Sequence, residues 1–259
     1  MMNSIIKKVP KFARTLIVLA FWVIIWQIIA VKVDSAVLVS SPAEVFKRLI
    51  QLMGEKEYYV IISSSVLRIL SGFLIAVGIG TILGIITAKV RILDEILSPV
   101  LSIIKATPVA SFIILALVWL NKETIPSFIS FLMVLPIIHG NVCEGLKNTP
   151  TDLIEMSRIY NLSFKQKLTK LYLPSILPYF SAGFKTSLGL AWKAGVAAEV
   201  LSFPKNSIGK QLYEGKTYLE TVDVFAWTLT VIVISVILEF LLMEAFKKLT
   251  ARKRGANNI

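Results

Sequence analysis

The residues that could carry out enzyme chemistry are few and scattered in this sequence. One histidine, His139, and one cysteine, Cys143, can form neither a multi-histidine metal site nor an intrachain disulfide. Gly140 and Gly145 have the spacing of a phosphate-binding loop, but Leu146 stands where that loop requires a lysine to hold the phosphates. The sequence therefore predicts no catalytic residue, no metal ligand and no nucleotide-binding site in this chain.

Three side chains at a spacing of seven stand inside an apolar stretch near residues 175–202. They are Lys185, Trp192 and Glu199, which a helix would place on one stripe. Charges inside a membrane segment are costly and are functional candidates, so these three residues are predicted to touch a translocation path. The alternative is that Lys185 and Glu199 lie near the two membrane faces and snorkel or pair. Small residues around them predict a helix that packs at the centre or at a dimer seam.

Other polar residues of the apolar segments are assigned simpler roles. Lys105 is predicted to be an inner-surface anchor rather than a ligand contact, and Arg68 an outer-face anchor or structural partner. His139 is predicted to be packed and hydrogen-bonded rather than to relay protons. Gly80 and Gly84 have the spacing that allows two membrane helices to pack closely.

The polar segment from Gly145 to Pro178 has the residue pattern of two short helices joined by a tight corner. Asp152 and Glu155 have the spacing of a capping box, which predicts the start of the first helix. Asn161 is predicted to end it, because asparagine adopts the left-handed conformation more readily than other residues with a side chain.

The second helix of this segment is predicted from a second capping box. Ser163 and Gln166 form that box, and the helix is expected to end before Pro174, because proline disfavours helical geometry in the residue before it.

The elements that must position these residues are long apolar segments. Of the 259 residues, 56% are hydrophobic and the mean hydropathy is +0.75, whereas soluble domains are about 45–50% apolar. A helix crosses the hydrocarbon of a bilayer with about 20 apolar residues. Six segments are predicted as spans, which makes the fold all-α and polytopic: 16–33, 66–88, 97–120, 125–143, 175–202 and 224–246.

The net charge of +12 fits a membrane protein better than a nucleic-acid binder, because the basic residues form no amphipathic face or binding motif. With the N-terminus inside, sixteen lysines and arginines fall in inner segments and eight in outer segments. Basic residues accumulate on cytoplasmic loops. Both termini and the 145–178 segment are therefore predicted to be cytoplasmic.

A shorter helix is predicted between the first two spans. Ser41 is its N-cap, Pro42 its first residue and Glu44 the partner in a capping box. Val45 and Leu49 mark an apolar side, so an amphipathic helix on the outer membrane surface is expected.

The 145–178 segment resembles the cytoplasmic EAA loop of ABC importer permeases, whose pattern is E-A-A, three residues, G, nine residues, I-x-L-P. The matching residues are Glu155-Met156-Ser157, Asn161 and Leu171-Tyr172-Leu173-Pro174. The spacing agrees at every step, whereas Met156, Ser157 and Asn161 depart from the family residues. Segments 65–73 and 189–199 resemble the nitrate/sulfonate/taurine branch, and the resemblance covers about residues 65–249.

The resemblance implies the transmembrane-domain fold of a type I ABC importer in a bacterial inner membrane. It implies a homodimer that works with two ATPase subunits and with an extracellular or periplasmic binding protein that delivers a small solute. ATP and Mg would bind to the ATPase, and this chain would hold no cofactor. The residues that would couple to the ATPase are Glu155, Met156, Ser157, Asn161, Leu173 and Pro174.

The expected organisation is an N-terminal span with an external amphipathic segment (1–60), a permease core (61–250) with the coupling loop 145–174, and a cytoplasmic tail (251–259). The sequence does not identify the solute. Basic spans favour an anion only slightly over the aromatic and heterocyclic solutes that similar permeases carry. A polytopic membrane enzyme would need paired catalytic groups at one depth, and a scaffold without a passage would bind no ATPase.

Overall fold

Every regular element of the described chain is a helix. The computed structural model describes residues 11–33, 35 and 38–255. The helices in chain order are α1 (Lys11–Val33), α2 (Pro42–Met53), α3 (Lys56–Lys89), α4 (Arg91–Ala106), α5 (Val109–Trp119), α6 (Ile125–Lys147), α7 (Thr151–Ile159), α8 (Phe164–Lys167), a π-helical turn (Leu168–Tyr172), α9 (Leu173–Ser202), α10 (Ile208–Thr217) and α11 (Thr221–Gly255). Residues 256–259 of the predicted tail lie outside the described residues.

The chain forms two compact units. One contains the described residues up to Tyr59 together with Gln211–Val231, and the other contains Val60–Lys210 and the chain from Ile232. The predicted organisation into residues 1–60, 61–250 and 251–259 stays a prediction. Residues 211–231 join the N-terminal unit, an assignment that no local pattern indicates.

The N-terminal unit is held together by contacts between segments far apart in sequence. Arg48 donates to both carboxylate oxygens of Asp223, at 2.7 and 2.8 Å. The Tyr58 and Thr230 hydroxyls lie 3.0 Å apart in a buried position, and the ring of Trp26 stacks on Phe225. A bidentate arginine–carboxylate pair fixes geometry as well as charge, so it sets the position of α2 against the start of α11.

The predicted amphipathic helix is confirmed as α2. The Glu44 amide donates to the Ser41 hydroxyl and the Ser41 amide donates to the Glu44 carboxylate, which is the predicted capping box. The Ser41 hydroxyl and amide hold the pKa of Glu44 below its ordinary value, because both donate to the ionised carboxylate. Val45 and Leu52 are buried, as the apolar pattern requires.

The larger unit is built around α6 and α9. Ile129 and Ala198 belong to its buried core. The predicted close packing at Gly80 and Gly84 is confirmed against α6: a side chain at Gly84 would meet the His139 carbonyl oxygen at 2.8 Å. Small residues on α9 are likewise buried, as the predicted close packing of this helix requires.

Within the described residues, four helices are long and apolar enough to cross a bilayer by length and composition: α1, α3, α6 and α11. A fifth candidate is the pair α4 and α5, which pass the same test together. Helix α9 has 30 residues, enough for a span, but its composition is too polar for this test. The six segments predicted as spans fall on these helices. Four of them are supported as spans by length and composition, the α4–α5 pair is a fifth candidate, and the span at 175–202 stays a prediction.

The prediction of one continuous helix over 97–120 is wrong. Helices α4 and α5 meet at an angle of 105°. Thr107, with ψ of 133°, leaves the helical region just before Pro108. Proline disfavours helical geometry in the preceding residue, so the chain leaves the helix at Thr107.

Candidate functional site

The 145–178 segment has the predicted corner at Asn161. Helix α7 ends at Ile159, and Asn161 has a φ of 47°. The Asn161 amide donates to the Arg158 carbonyl and the Leu162 amide donates to the Ser157 carbonyl, both at 3.0 Å. These two bonds satisfy carbonyls that the end of a helix otherwise leaves without a donor. The asparagine thus does what the family's glycine would do.

The predicted capping box at Asp152 and Glu155 is wrong. Helix α7 begins at Thr151, Pro150 occupies the N-cap position, and no side chain caps the helix. Pro150 sets the start because its fixed φ suits the entry to a helix. Asp152 therefore lies within the first turn, where its charge still interacts favourably with the helix dipole, and Glu155 is exposed further along.

The second predicted capping box is confirmed. The Ser163 amide donates to the Gln166 side chain at 2.8 Å, and the Gln166 amide donates to the Ser163 hydroxyl at 3.4 Å. Helix α8 begins after Ser163.

The expected end of that helix before Pro174 is wrong. Leu173 is helical, with φ of −61° and ψ of −45°, and the chain runs from α8 through the π-helical turn into α9. The Leu173 amide donates to Leu168, one residue further back than in an α-helix. The wider π turn accommodates a proline that lacks an amide donor. The second half of the segment is therefore continuous with α9.

An apolar patch covers the outside of this segment. Ile159, Phe164 and Tyr160 are 77%, 73% and 72% exposed, and Leu153 and Met156 are about half-exposed. These five residues form the α7–α8 patch. Ser157 is buried and donates to the Ile154 carbonyl. An apolar group of this kind marks a contact surface.

The predicted coupling residues therefore have different positions. Glu155, Met156 and Asn161 are exposed, Leu173 and Pro174 are exposed at the start of α9, and Ser157 packs inward. A small side chain is needed at position 157, because this side of α7 is buried. The exposed side chains are the ones available to a partner.

Glu199 is the centre of a buried polar cluster in the larger unit. Its side chain has 0% exposure. The Ser65 hydroxyl and the Gly209 amide donate to Glu199 Oε2 at 2.9 and 3.2 Å. Glu199 Oε1 accepts no hydrogen bond from any described residue and lies 3.7 Å from Arg68 Nη1. A buried carboxylate requires such partners.

Arg68 extends the cluster to the segment after α9. Its guanidinium donates to Glu123 and to the Lys205 carbonyl at 2.8 and 2.6 Å, and the Lys205 amide donates to Glu123 at 2.8 Å. Gly209 is required here, because a side chain at that position would lie 2.4 Å from Glu199 Cβ. Arg68 is thus a structural partner, as predicted. No local pattern identifies Ser65, Glu123 or Gly209, since each comes from a different segment.

The three residues predicted for a translocation path lie in different surroundings. Trp192 and Glu199 are buried within the unit, whereas Lys185 is exposed and lies 3.2 Å from Glu239. Lys185 and Glu199 are about 21 Å apart along the helix axis. Their role in a path stays a prediction. His139 is buried with its Nε2 2.8 Å from the Thr87 hydroxyl, in agreement with the packed, hydrogen-bonded role.

The fold matches that of a solved ABC transporter. A chain of the MetNI methionine ABC transporter, crystallised in inward-facing conformations, superimposes with a TM-score of 0.55 at 19% sequence identity, over 75% of this chain and 93% of that one. At this identity the likeness establishes the fold alone. The match gives this chain the transmembrane-domain fold of a type I importer.

Sequence comparisons agree with this class. The SsuC permease protein of Bacillus subtilis strain 168, assigned to aliphatic sulfonate transport, is 25% identical over 93% of this chain and 86% of its own length. The nitrate import permease protein NrtB of Synechocystis is 28% identical over 74% of this chain and 73% of its own. The bicarbonate transport system permease protein CmpB of Synechocystis is 30% identical over 52% of this chain and 48% of its own.

The family model for the inner membrane component of binding-protein-dependent transport systems matches residues 80–255. The chain belongs to this family. It is a multi-pass transmembrane permease of an ABC importer, a transporter rather than an enzyme.

Proposed function

We propose that this permease binds a separate ATPase through the α7–α8 patch and passes the movement of that ATPase to α9. The observation that supports this proposal is the combination of an exposed apolar patch with a continuous helical connection to α9. Ile159, Tyr160 and Phe164 are each more than 70% exposed, and the chain continues as helix from α8 to Ser202. A force applied to the patch would be transmitted along a stiff helix rather than lost in a loop.

The corner between α7 and α8 supports the same role. The corner at Asn161 is closed by two backbone hydrogen bonds, and the second helix is capped by Ser163. A rigid corner keeps the patch and α9 in one relative orientation. Glu155 is exposed beside the patch and is proposed to face a basic or polar surface of the ATPase.

The assembly is proposed to contain two copies of this chain, two ATPase subunits and an external binding protein. ATP and Mg would bind to the ATPase, since this sequence lacks the lysine of a phosphate-binding loop at Leu146. Both termini and the α7–α8 patch are proposed to be cytoplasmic, on the distribution of basic residues.

The solute is proposed to be a small oxyanion. Three relatives are named for the transport of sulfonates, nitrate and bicarbonate, which share a single negative charge carried on oxygen atoms. The excess of basic residues in this chain agrees with that class.

The test is co-purification with an ABC ATPase subunit from the same organism. Tyr160→Asp combined with Phe164→Asp is expected to abolish recovery of the ATPase, because two desolvated anchors would be replaced by charges. Ile50→Asp is the matched control: Ile50 is 70% exposed but lies on α2, which is predicted to be on the opposite side. Equal recovery of the ATPase with the double variant and the wild type would disprove the docking role, as would intact association and transport with Glu155→Arg.

A further inference from the structure

Helix α4 has one polar face and one apolar face. Asp94, Ser98, Ser102 and Lys105 follow each other at spacings of four, four and three, which places them on one stripe of the helix. The opposite side carries isoleucines such as Ile92, which is 68% exposed. A membrane helix gains nothing by exposing a polar stripe to lipid, so the stripe requires a polar environment.

The polar stripe faces a second one on α6. His139, Cys143 and Lys147 recur every four residues on α6. Together the two stripes line an open cleft of ≈ 460 Å³. We define the α4–α6 cleft by these two stripes. Its volume is within the range of small-molecule sites.

The charges along the α4–α6 cleft are not balanced evenly. At one end Lys147 donates to Asp94 at 2.8 Å, and Glu144 lies one turn away from Lys147 on the cleft lining. At the other end Lys105 makes no ion pair with any described residue. It stands eleven residues after Asp94, about 16 Å along the axis. The first end is neutral or acidic and the second is basic.

The groups near Lys105 are suited to bind oxygen atoms. The Ser98 and Ser102 hydroxyls are exposed to the cleft and donate to no other group within the described chain. The His139 imidazole is held by the Thr87 hydroxyl. Lys105 is the second-last residue of α4, just before the 105° break. An uncompensated cation at such a position is by default a functional residue.

We propose that the α4–α6 cleft is a transient binding site for a small oxyanion on its way through the membrane. This inference rests on the proposed function and names the residues that would bind the transported oxyanion. Lys105 neutralises the anion, and the Ser98 and Ser102 hydroxyls donate to its oxygen atoms. The neutral-to-acidic end at Asp94, Glu144 and Lys147 then favours release, since conduction requires sites weak enough to leave. Lys105 thus acquires a ligand role in place of the predicted anchor role.

The test uses the complete transporter, reconstituted in liposomes with its ATPase and binding protein. Uptake of nitrate, bicarbonate and ethanesulfonate is measured for the wild type and for Lys105→Ala, Lys105→Arg and Lys248→Ala. Lys105→Ala removes one charge contact and is therefore expected to lower uptake about tenfold or more. Lys105→Arg keeps the charge and is expected to recover part of the uptake. Lys248 is exposed on α11, beyond the candidate span that ends at Phe246, so Lys248→Ala is expected to transport at the wild-type rate.

Two results would overturn the site in different ways. Wild-type uptake of none of the three anions would reject both the oxyanion class and the cleft. Normal wild-type uptake with an unchanged rate for Lys105→Ala would reject the cleft alone and leave the proposed function standing.

A labelling measurement keeps the test valid if Lys105→Ala does not fold. In a Cys143→Ser background, Ser102→Cys is expected to react faster with an anionic methanethiosulfonate reagent than with a cationic one, because Lys105 attracts the anion. Adding Lys105→Gln is expected to remove that preference. Equal rates for the two reagents while Lys105 is present would contradict the proposal.

Discussion

At the scale of single residues, Glu199 joins segments that are far apart in the sequence. Its carboxylate accepts from Ser65 and Gly209. Replacing it by alanine leaves those donors buried without an acceptor, which costs about 1–3 kcal/mol for each one. We expect Glu199→Ala to lower the thermal unfolding midpoint of the detergent-purified protein.

The control for this prediction lies on the same helix. Lys193 is exposed, and Lys193→Ala is expected to leave the midpoint unchanged, as surface substitutions generally do. An equal midpoint for Glu199→Ala and Lys193→Ala would show that the cluster does not stabilise the fold.

Asn161 allows a second prediction at this scale. Its φ of 47° is open to glycine and asparagine, whereas other residues incur roughly 1–2 kcal/mol in the left-handed region. Asn161→Gly is expected to bind the ATPase with wild-type affinity, and Asn161→Val to bind it several-fold more weakly in a pull-down titration. Identical affinities for valine and glycine would mean that the corner conformation is not needed.

At the scale of elements, the π-helical turn keeps the connection from α8 to α9 helical through Pro174. A π turn contains one residue more than an α turn, so deleting Thr169 would place Pro174 in an ordinary α-helical turn, where its ring clashes with the carbonyl four residues earlier. We expect this deletion to break the helix before Pro174 and to abolish transport driven by the ATPase. Thr169→Ala keeps the length of the turn and should transport normally. Normal transport by the deletion variant would show that coupling to the ATPase does not require a continuous helix from α8 to α9.

At the scale of the whole molecule, the distribution of basic residues predicts the orientation. In a Cys143→Ser background, Glu57→Cys is expected to react with a membrane-impermeant maleimide in intact cells. Lys165→Cys is expected to react only after the membrane is opened. Both positions are exposed, so access decides the outcome. The reverse pattern would place the α7–α8 patch on the outer side and remove the basis for ATPase docking.

Local patterns in the sequence determined the helical class, the apolar spans, two of the capping boxes and the corner at Asn161. Each of these depends on residues within one or two turns, where the preference of a side chain acts directly on the backbone beside it. The same reasoning misplaced the start of α7, because Pro150 competed with Asp152 for that role. It also mispredicted the effect of two prolines, because it continued one helix through Pro108 and ended another before Pro174. Pro108 breaks its helix, whereas Pro174 is accommodated by a π turn, and the difference depends on the neighbouring turns rather than on proline itself.

Only the tertiary structure decided which polar residues meet. Ser65, Glu123, Glu199 and Gly209 come from four segments, and the two stripes of the α4–α6 cleft come from helices separated by the break at Thr107. A heptad spacing placed Lys185, Trp192 and Glu199 on one stripe, but it could not reveal that α9 buries two of them. Burial depends on what packs against a helix, and that is settled by chain segments distant in sequence, whose pairing no local preference encodes.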